Sequence, residues 1–310
     1  MNLRRLKYFV KIVDIGSLTQ AADVLHIAQP ALSQQIATLE GEFRQQLLVR
    51  TKRGVTPTEA GQVLYRHAQI ILRQFELAQS DVNHSGRSLS GQVSVGLAPG
   101  TAASALALPL LKAVRARHPS ILLYLNENFG TTLSELVMNG RMDMAVLYAG
   151  KTPVHGLSFR SLLMEPLFLV VPRDTFSQFT NIDLTRVNEL DLLLPRPYNY
   201  LRKYLDEAFA SLQLTAHVVA EIESASTLSA AVAAGLGATI LPESAARVMA
   251  DSIQAHLCRI VSPSIELPLA LCESDHLPLS EPAQAVRDII LELVESQPFS
   301  TDYEAPEKRH

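Results

Sequence analysis

Apolar residues recur every three or four positions through the start of the chain, and that spacing predicts helices. Leu6, Phe9, Val10 and Val13 form one stripe. Asp14-Ile15-Gly16 closes this first helix, with a glycine suited to a left-handed terminal position. Ser17 and Gln20 then stand as an S-x-x-Q capping box. The second helix behind them has a face of Leu18, Ala21, Ala22 and Leu25, small enough for a close crossing. After the turn His26-Ile27-Ala28, which lacks a glycine, Pro30 falls at the first position of a third helix. Leu32, Ile36, Leu39 and Phe43 share one side of that helix, and Pro30, Ser33, Gln34, Ala37 and Gly41 the other. From Leu47 to Thr56 the sequence reads as two short strands around a basic turn, a wing carrying Arg50, Lys52 and Arg53. Thr56-Pro57-Thr58-Glu59 reads as another capping box. Behind it Ala60, Val63, Leu64, Ile71, Phe75, Ala78 and Val82 run at helical spacing toward Gly86, a rod of about 45 Å. An apolar stripe on so long a rod needs a partner helix, which a dimer supplies.

From Gly91 the period changes. Strand-like runs are predicted at 92–98, 121–126, 142–148, 167–171, 192–194, 218–223 and 238–241, with helices at 102–117, 132–139, 200–212, 226–234 and 282–296. This alternation predicts an α/β architecture with mostly parallel sheets. Ligands bind such sheets outside the carboxyl ends of the strands. Candidate cleft residues are therefore Pro99, Gly100 and Thr101 after the first strand, Tyr198, Asn199 and Arg202 after another, and Ser224, Ser226 and Thr227 at a third strand-to-helix junction. Hydroxyl and amide side chains at such positions cap helices more often than they hold ligands.

At 310 residues the chain has room for two or three domains. Its net charge of −4 is uneven: residues 1–90 hold eleven Lys and Arg against seven Asp and Glu, and the rest is acidic. A mildly basic head on an acidic body fits a nucleic-acid module joined to a different domain. The two cysteines, Cys258 and Cys272, make no C-x-x-C, so no zinc site or disulfide framework is expected. Lys11 and Asp14 interrupt the apolar run after Arg4-Arg5 and leave no uncharged core, so no export signal is expected. No stretch approaches a membrane span, and the expected location is the cytoplasm. Enzyme signatures fail too. Gly235-Leu236-Gly237 sits at a helix-to-strand junction, Gly86–Gly91 has the wrong spacing for a nucleophile elbow, and the nine histidines form no H-x-x-x-H. No catalysis, metal or cofactor is expected.

The outer face of the third helix is the informative feature. A surface helix usually carries Lys and Glu there, and such a face is then merely solvated. This one is short, neutral and able to hydrogen-bond, which suits base edges in the major groove. Following a capped helix at helix-turn-helix spacing, it points to double-stranded DNA, with Arg50, Lys52 and Arg53 available to phosphate or to a narrow minor groove.

These segments carry S-L-T-x-A-A-x-x-L, x-x-Q-P-A-L-S-x-Q-I, L-E and T-x-x-G-V-x-P-T-x-A-G, and in them the chain resembles the LysR-type transcriptional regulators. Within that family it looks most like members that control nitrogen assimilation, over 4–22, the wing 51–58 and 91–103. The resemblance implies a homodimer or homotetramer binding interrupted palindromes near promoters, with Gln29, Pro30, Ser33 and Gln34 on DNA from the third helix and Arg53 from the wing. RNA polymerase is a further implied partner. It also implies two α/β subdomains of periplasmic-binding-protein type, joined by two crossing strands around a cleft for a small-molecule effector. Two departures stand out: Gln34, where many members have arginine, and Arg44-Gln45-Gln46-Leu47-Leu48, where glycine and an L-F pair are usual. The expected organisation is a winged helix-turn-helix at 1–58, a linker and dimerisation helix at 59–90, and an effector-binding-like α/β domain at 91–300. That domain would divide into subdomain I, about 91–162 plus 269–300, and subdomain II, about 163–268, ahead of a polar tail at 301–310. The competing reading is a small-molecule-binding protein whose helical head serves oligomerisation.

Overall fold

The computed structural model describes residues 2–51, 54–84, 89–150, 154–173 and 179–296. Its main division falls between Arg87 and Ser88.

The first unit begins with α1 (Leu3–Ile15), α2 (Leu18–Val24) and α3 (Gln29–Phe43). The side chains of Asn2 and Ser17 accept from the amides of Arg4 and Gln20 and so cap α1 and α2. Gly16 ends α1 in the left-handed region. Leu6, Phe9 and Ile12 from α1, Leu18, Ala21 and Ala22 from α2, and Leu32, Ile36 and Leu39 from α3 make one core. Each large side chain there contributes roughly 1.5–3 kcal/mol of burial. Helix α3 starts one residue before the predicted position, at Gln29, so Pro30 is second in it and still needs no amide partner. Phe43, expected in the core, is 41% exposed.

The wing is an antiparallel pair, β1 (Leu48–Thr51) and β2 (Gly54–Pro57), in register from Leu48 opposite Pro57 to Thr51 opposite Gly54. Next comes α4 (Glu59–His84), 26 residues or about 39 Å. The capping box expected at Thr56 is corrected to Thr58. Thr56 and Pro57 are still strand, and Thr58 is the cap, its Oγ1 accepting from the amide of Gly61 at 3.0 Å. Thr58 takes this role because its own amide is held by the carbonyl of Leu47 at 2.9 Å. Gly61 is forced: a Cβ there would come within 2.0 Å of the Leu47 carbonyl oxygen.

The second unit contains, in order, β3 (Gly91–Leu97), α5 (Ala102–Arg117), β4 (Ile121–Glu127), α6 (Gly130–Met138), β5 (Met144–Tyr148), β6 (Leu157–Val171), β7 (Asn181–Asp183), α7 (Leu184–Val187), β8 (Leu192–Leu194), α8 (Tyr200–Ser211), β9 (Val218–Glu221), α9 (Ala225–Ala233), β10 (Thr239–Pro242), α10 (Glu243–Ile253), β11 (His256–Ser262), β12 (Glu266–Ser274) and α11 (Glu281–Ser296). One sheet runs in the order β4-β3-β5-β12-β6-β11-β7, with β10 also paired to β6. The first lobe holds β3, β4, β5, β12 and the start of β6. The second holds the end of β6 with β7, β10 and β11, beside the small β8-β9 pair. Strands β6 and β12 serve both lobes.

The sheets are mixed where mostly parallel ones were expected. β3 is parallel to β4 and β5, but β12 is antiparallel to β5 and β6, and β6 is antiparallel to β10 and β11. Strands that return between lobes must run against their neighbours. Strands β7, β11 and β12 and helices α7 and α10 add to the predicted set, and β6 begins ten residues before the predicted run at Leu167. Among the described residues no helix is long and apolar enough to cross a membrane, and no group of three or more His, Cys, Asp or Glu is placed to hold a metal ion.

Candidate nucleic-acid interface and interlobe cleft

The outer face of α3 is open. Gln29, Pro30, Gln34, Ala37 and Gly41 are exposed and Ser33 is half-buried. The wing is brought beside it, because the Arg50 guanidinium donates to Ser33 Oγ at 3.1 Å. Arg50 and Ser33 therefore act as one polar unit spanning helix and wing. Lys52 and Arg53 lie outside the described residues. Behind the face, Arg5 Nε donates to Gln35 Oε1 at 3.0 Å and its guanidinium pairs with Glu42, which ties α1 to α3. Arg5 is thus committed to the fold.

Glu40 was visible in the sequence only as half of the L-E pattern. Its Oε1 accepts from the amides of Leu47 at 2.8 Å and Leu48 at 3.2 Å, clipping the start of β1 to α3. Charge-assisted bonds of this kind are about twice as strong as neutral ones. Glu40 therefore sets where Arg50 meets Ser33. The signal for it was spacing: a glutamate eight residues before a strand, next to an apolar helix position. On the opposite side of α1, the Tyr65 hydroxyl donates to Asp14, and burial together with that bond pushes the phenol up to about 12.

Helix α4 buries Leu64 and Ala68 but leaves Val63 44% and Phe75 43% exposed. Phe43, Ala60, Val63, Leu64 and Ile71 line an open apolar groove beside it. The stripe read from the sequence is real, and Val63, Phe75 and Val82 within it are exposed among the described residues.

In the second unit a cleft of about 140 Å³ lies between the lobes. Pro99, Gly100, Thr101, Tyr198 and Asn199 line it as placed by sequence. Arg202, Ser224, Ser226 and Thr227 are not among the lining residues. Arg202 donates to the Pro195 carbonyl at 3.0 Å and pairs with Asp206 at 2.8 Å and Glu221 at 3.5 Å. Ser224 Oγ takes the Thr227 amide at 3.4 Å and bonds the hydroxyls of Ser226 and Thr227. Capping also occupies Thr101, which accepts from the Ala103 amide, and Asn199, which accepts from Leu201. Sequence reading missed Phe129 and Thr131 after β4, Tyr148 at the end of β5, and Tyr200 and Glu223. The strand-end rule applied to β4 and β5 finds the first three.

The cleft collects the amino ends of α5, α6, α8, α9 and α10, whose dipoles favour negative charge. The chain supplies that charge itself. Glu165, 2% exposed on β6, accepts from the Tyr148 hydroxyl at 2.8 Å and from the Ser244 amide at the start of α10 at 3.1 Å. Burial, and then the Glu165 charge, hold the Tyr148 phenol well above its usual range. Among the described residues Glu223 is the one charged group on the lining, and its bond to Tyr198 raises that phenol.

A helix-turn-helix with a strand-built wing, a long apolar-striped helix and a two-lobed α/β unit together define a bacterial regulator, and the chain belongs to the LysR family. The family's profile "Bacterial regulatory helix-turn-helix protein, lysR family" matches residues 3–62, and "LysR substrate binding domain" matches residues 86–295. The chain is 58% identical to the nitrogen assimilation regulatory protein nac of Klebsiella aerogenes, over 95% of each chain. It is 55% identical to the protein of the same name from Escherichia coli K12, over 96% of each. A full-length OxyR variant from Pseudomonas aeruginosa shares the fold, with a TM-score of 0.73 at 22% identity over 97% of this chain and 96% of that one.

Proposed function

We propose that this protein is a sequence-specific DNA-binding transcriptional regulator that binds interrupted palindromes at promoters as a dimer or tetramer, and that it controls genes of nitrogen assimilation. The observation that carries the DNA reading is the exposed, uncharged Gln29-Pro30-Ser33-Gln34 face of α3 with Arg50 tied to its middle. The physiological assignment rests on the near full-length identity to two nitrogen assimilation regulators. It acts by binding, in the cytoplasm, with RNA polymerase as a further partner. The open stripe of α4 supports pairing with a second copy, which puts two reading heads on half-sites about one helical turn apart.

The test is fluorescence anisotropy with a nitrogen-regulated promoter fragment against a scrambled duplex at moderate salt. The intact chain prefers the promoter. Gln29→Ala and Ser33→Ala each reduce that preference by about 1–3 kcal/mol, the worth of a good base contact. Arg50→Ala weakens both duplexes and lowers the salt dependence, as loss of an ionic contact does. Equal binding of promoter and scrambled DNA by the intact chain would sink the reading.

A further inference from the structure

The interlobe cleft contains a side chain of the protein's own. Tyr200 opens α8 in the second lobe, and its ring lies against the first lobe between the segments that follow β4 and β5. A Cβ on Gly130 would sit 3.5 Å from ring atoms Cδ2 and Cε2, and one on Gly150 would sit 3.2 Å from Cε1 on the other edge. Neither glycine has the positive φ that demands glycine for the backbone's sake. The missing side chain of Gly150 leaves room for one edge of the ring, while at Gly130 a Cβ would only touch the other edge at ordinary contact distance. The ammonium of Lys203 stands 5.5 Å from the centre of the same ring. Three further ties cross nearby. The Tyr204 hydroxyl donates to the Ala149 carbonyl at 3.3 Å, Phe129 meets Tyr198 edge-to-face at 6.5 Å, and the Tyr148–Glu165–Ser244 chain closes the floor.

We propose that Tyr200 is a built-in occupant of the interlobe cleft, a wedge seated between Gly130 and Gly150 that holds the two lobes together without an external ligand. Removing the ring leaves a flat vacancy walled by Phe129, Tyr148 and Leu228, with the Lys203 ammonium near its mouth. Such a vacancy takes a flat, phenol-sized aromatic molecule.

The experiment uses the full-length chain and phenol as the probe, read by thermal melting and calorimetry. The unsubstituted protein and Tyr200→Phe melt alike and do not respond to phenol. Tyr200→Ala melts several degrees lower, binds one equivalent of phenol, and regains part of the loss. If Tyr200→Ala melts with the unsubstituted protein, or phenol raises the melting point of both equally, the proposal is wrong. Should Tyr200→Ala fail to fold, fluorotyrosine labelling of the unsubstituted chain decides. The Tyr200 fluorine signal, identified by its loss in Tyr200→Phe, stands displaced from free fluorotyrosine if the ring is seated. A signal at the free position overturns the proposal.

Discussion

Two residues carry backbone conformations that the sequence made visible only as irregularities. His26 has φ 53° and Arg44 has φ 52°, both in the left-handed region. Each sits just past a helix. Ile27 and His26 donate back to the carbonyls of Ala22 and Asp23, and Gln45 and Arg44 donate back to those of Glu40 and Gly41. This is the paired-bond ending that glycine usually completes. The glycine missing from the turn at 26–28 and the arginine standing where the family has glycine at 44 are therefore one phenomenon: both helices stop on geometry rather than on residue type. A side chain in that region costs roughly 1–2 kcal/mol, partly offset by the larger entropy glycine loses on folding. His26→Gly should accordingly stabilise the protein by about 0.5–1 kcal/mol, seen as a higher urea midpoint with unchanged slope. An unchanged or lower midpoint would mean the imidazole makes compensating contacts. The misplaced box at Thr56 has a related cause. Thr56 alone has a glutamate three residues on, but the Leu47 carbonyl, distant in sequence, takes the Thr58 amide and makes Thr58 the cap.

Elements with strong local signals were legible: α1 to α4 from their stripes and caps, and most strands of the second unit from short apolar runs. What was not legible depends on distant partners. Strand β12 carries Pro268 in its interior, which argues against a strand. It persists because its neighbours β5 and β6 pair along both sides, and the Pro268 carbonyl still accepts the Ala149 amide at 2.9 Å. Helix α10 begins at Glu243 without a side-chain cap on its own turn; the Glu165 carboxylate, some eighty positions earlier, takes the Ser244 amide instead. The wing has the same dependence in miniature, since Glu40 anchors it from α3. Glu40→Ala leaves the Leu47 and Leu48 amides without that partner, at a cost of about 2 kcal/mol. Hydrogen exchange at those two amides should quicken and promoter affinity should fall, with Glu40→Gln intermediate. Unaltered exchange at Leu47 and Leu48 would show that the clip does not position β1.

At the scale of the whole molecule, packing decides what the two thiols can do. Cys258 and Cys272 are fully buried, Cys258 donates to the Phe179 carbonyl at 3.2 Å, and burial pushes the two thiols up to about 11 and about 12. At pH 8 neither should react with a disulfide reagent until the chain is unfolded, when two equivalents are consumed; rapid labelling of the native protein would contradict this. The fold favours the neutral thiols, so this stabilisation is fully present below the ordinary thiol value of 9.0 and is lost as pH rises from there toward 11–12. The Tyr200 ring has a consequence of another kind, for how the sequence can drift. Because a Cβ at Gly150 would press on the ring while its backbone does not demand glycine, positions 150 and 200 are coupled. While tyrosine stands at 200, a bulky residue at 150 is barred; once a small residue replaces the tyrosine, position 150 is released, and the route back closes as soon as it has changed to something bulky.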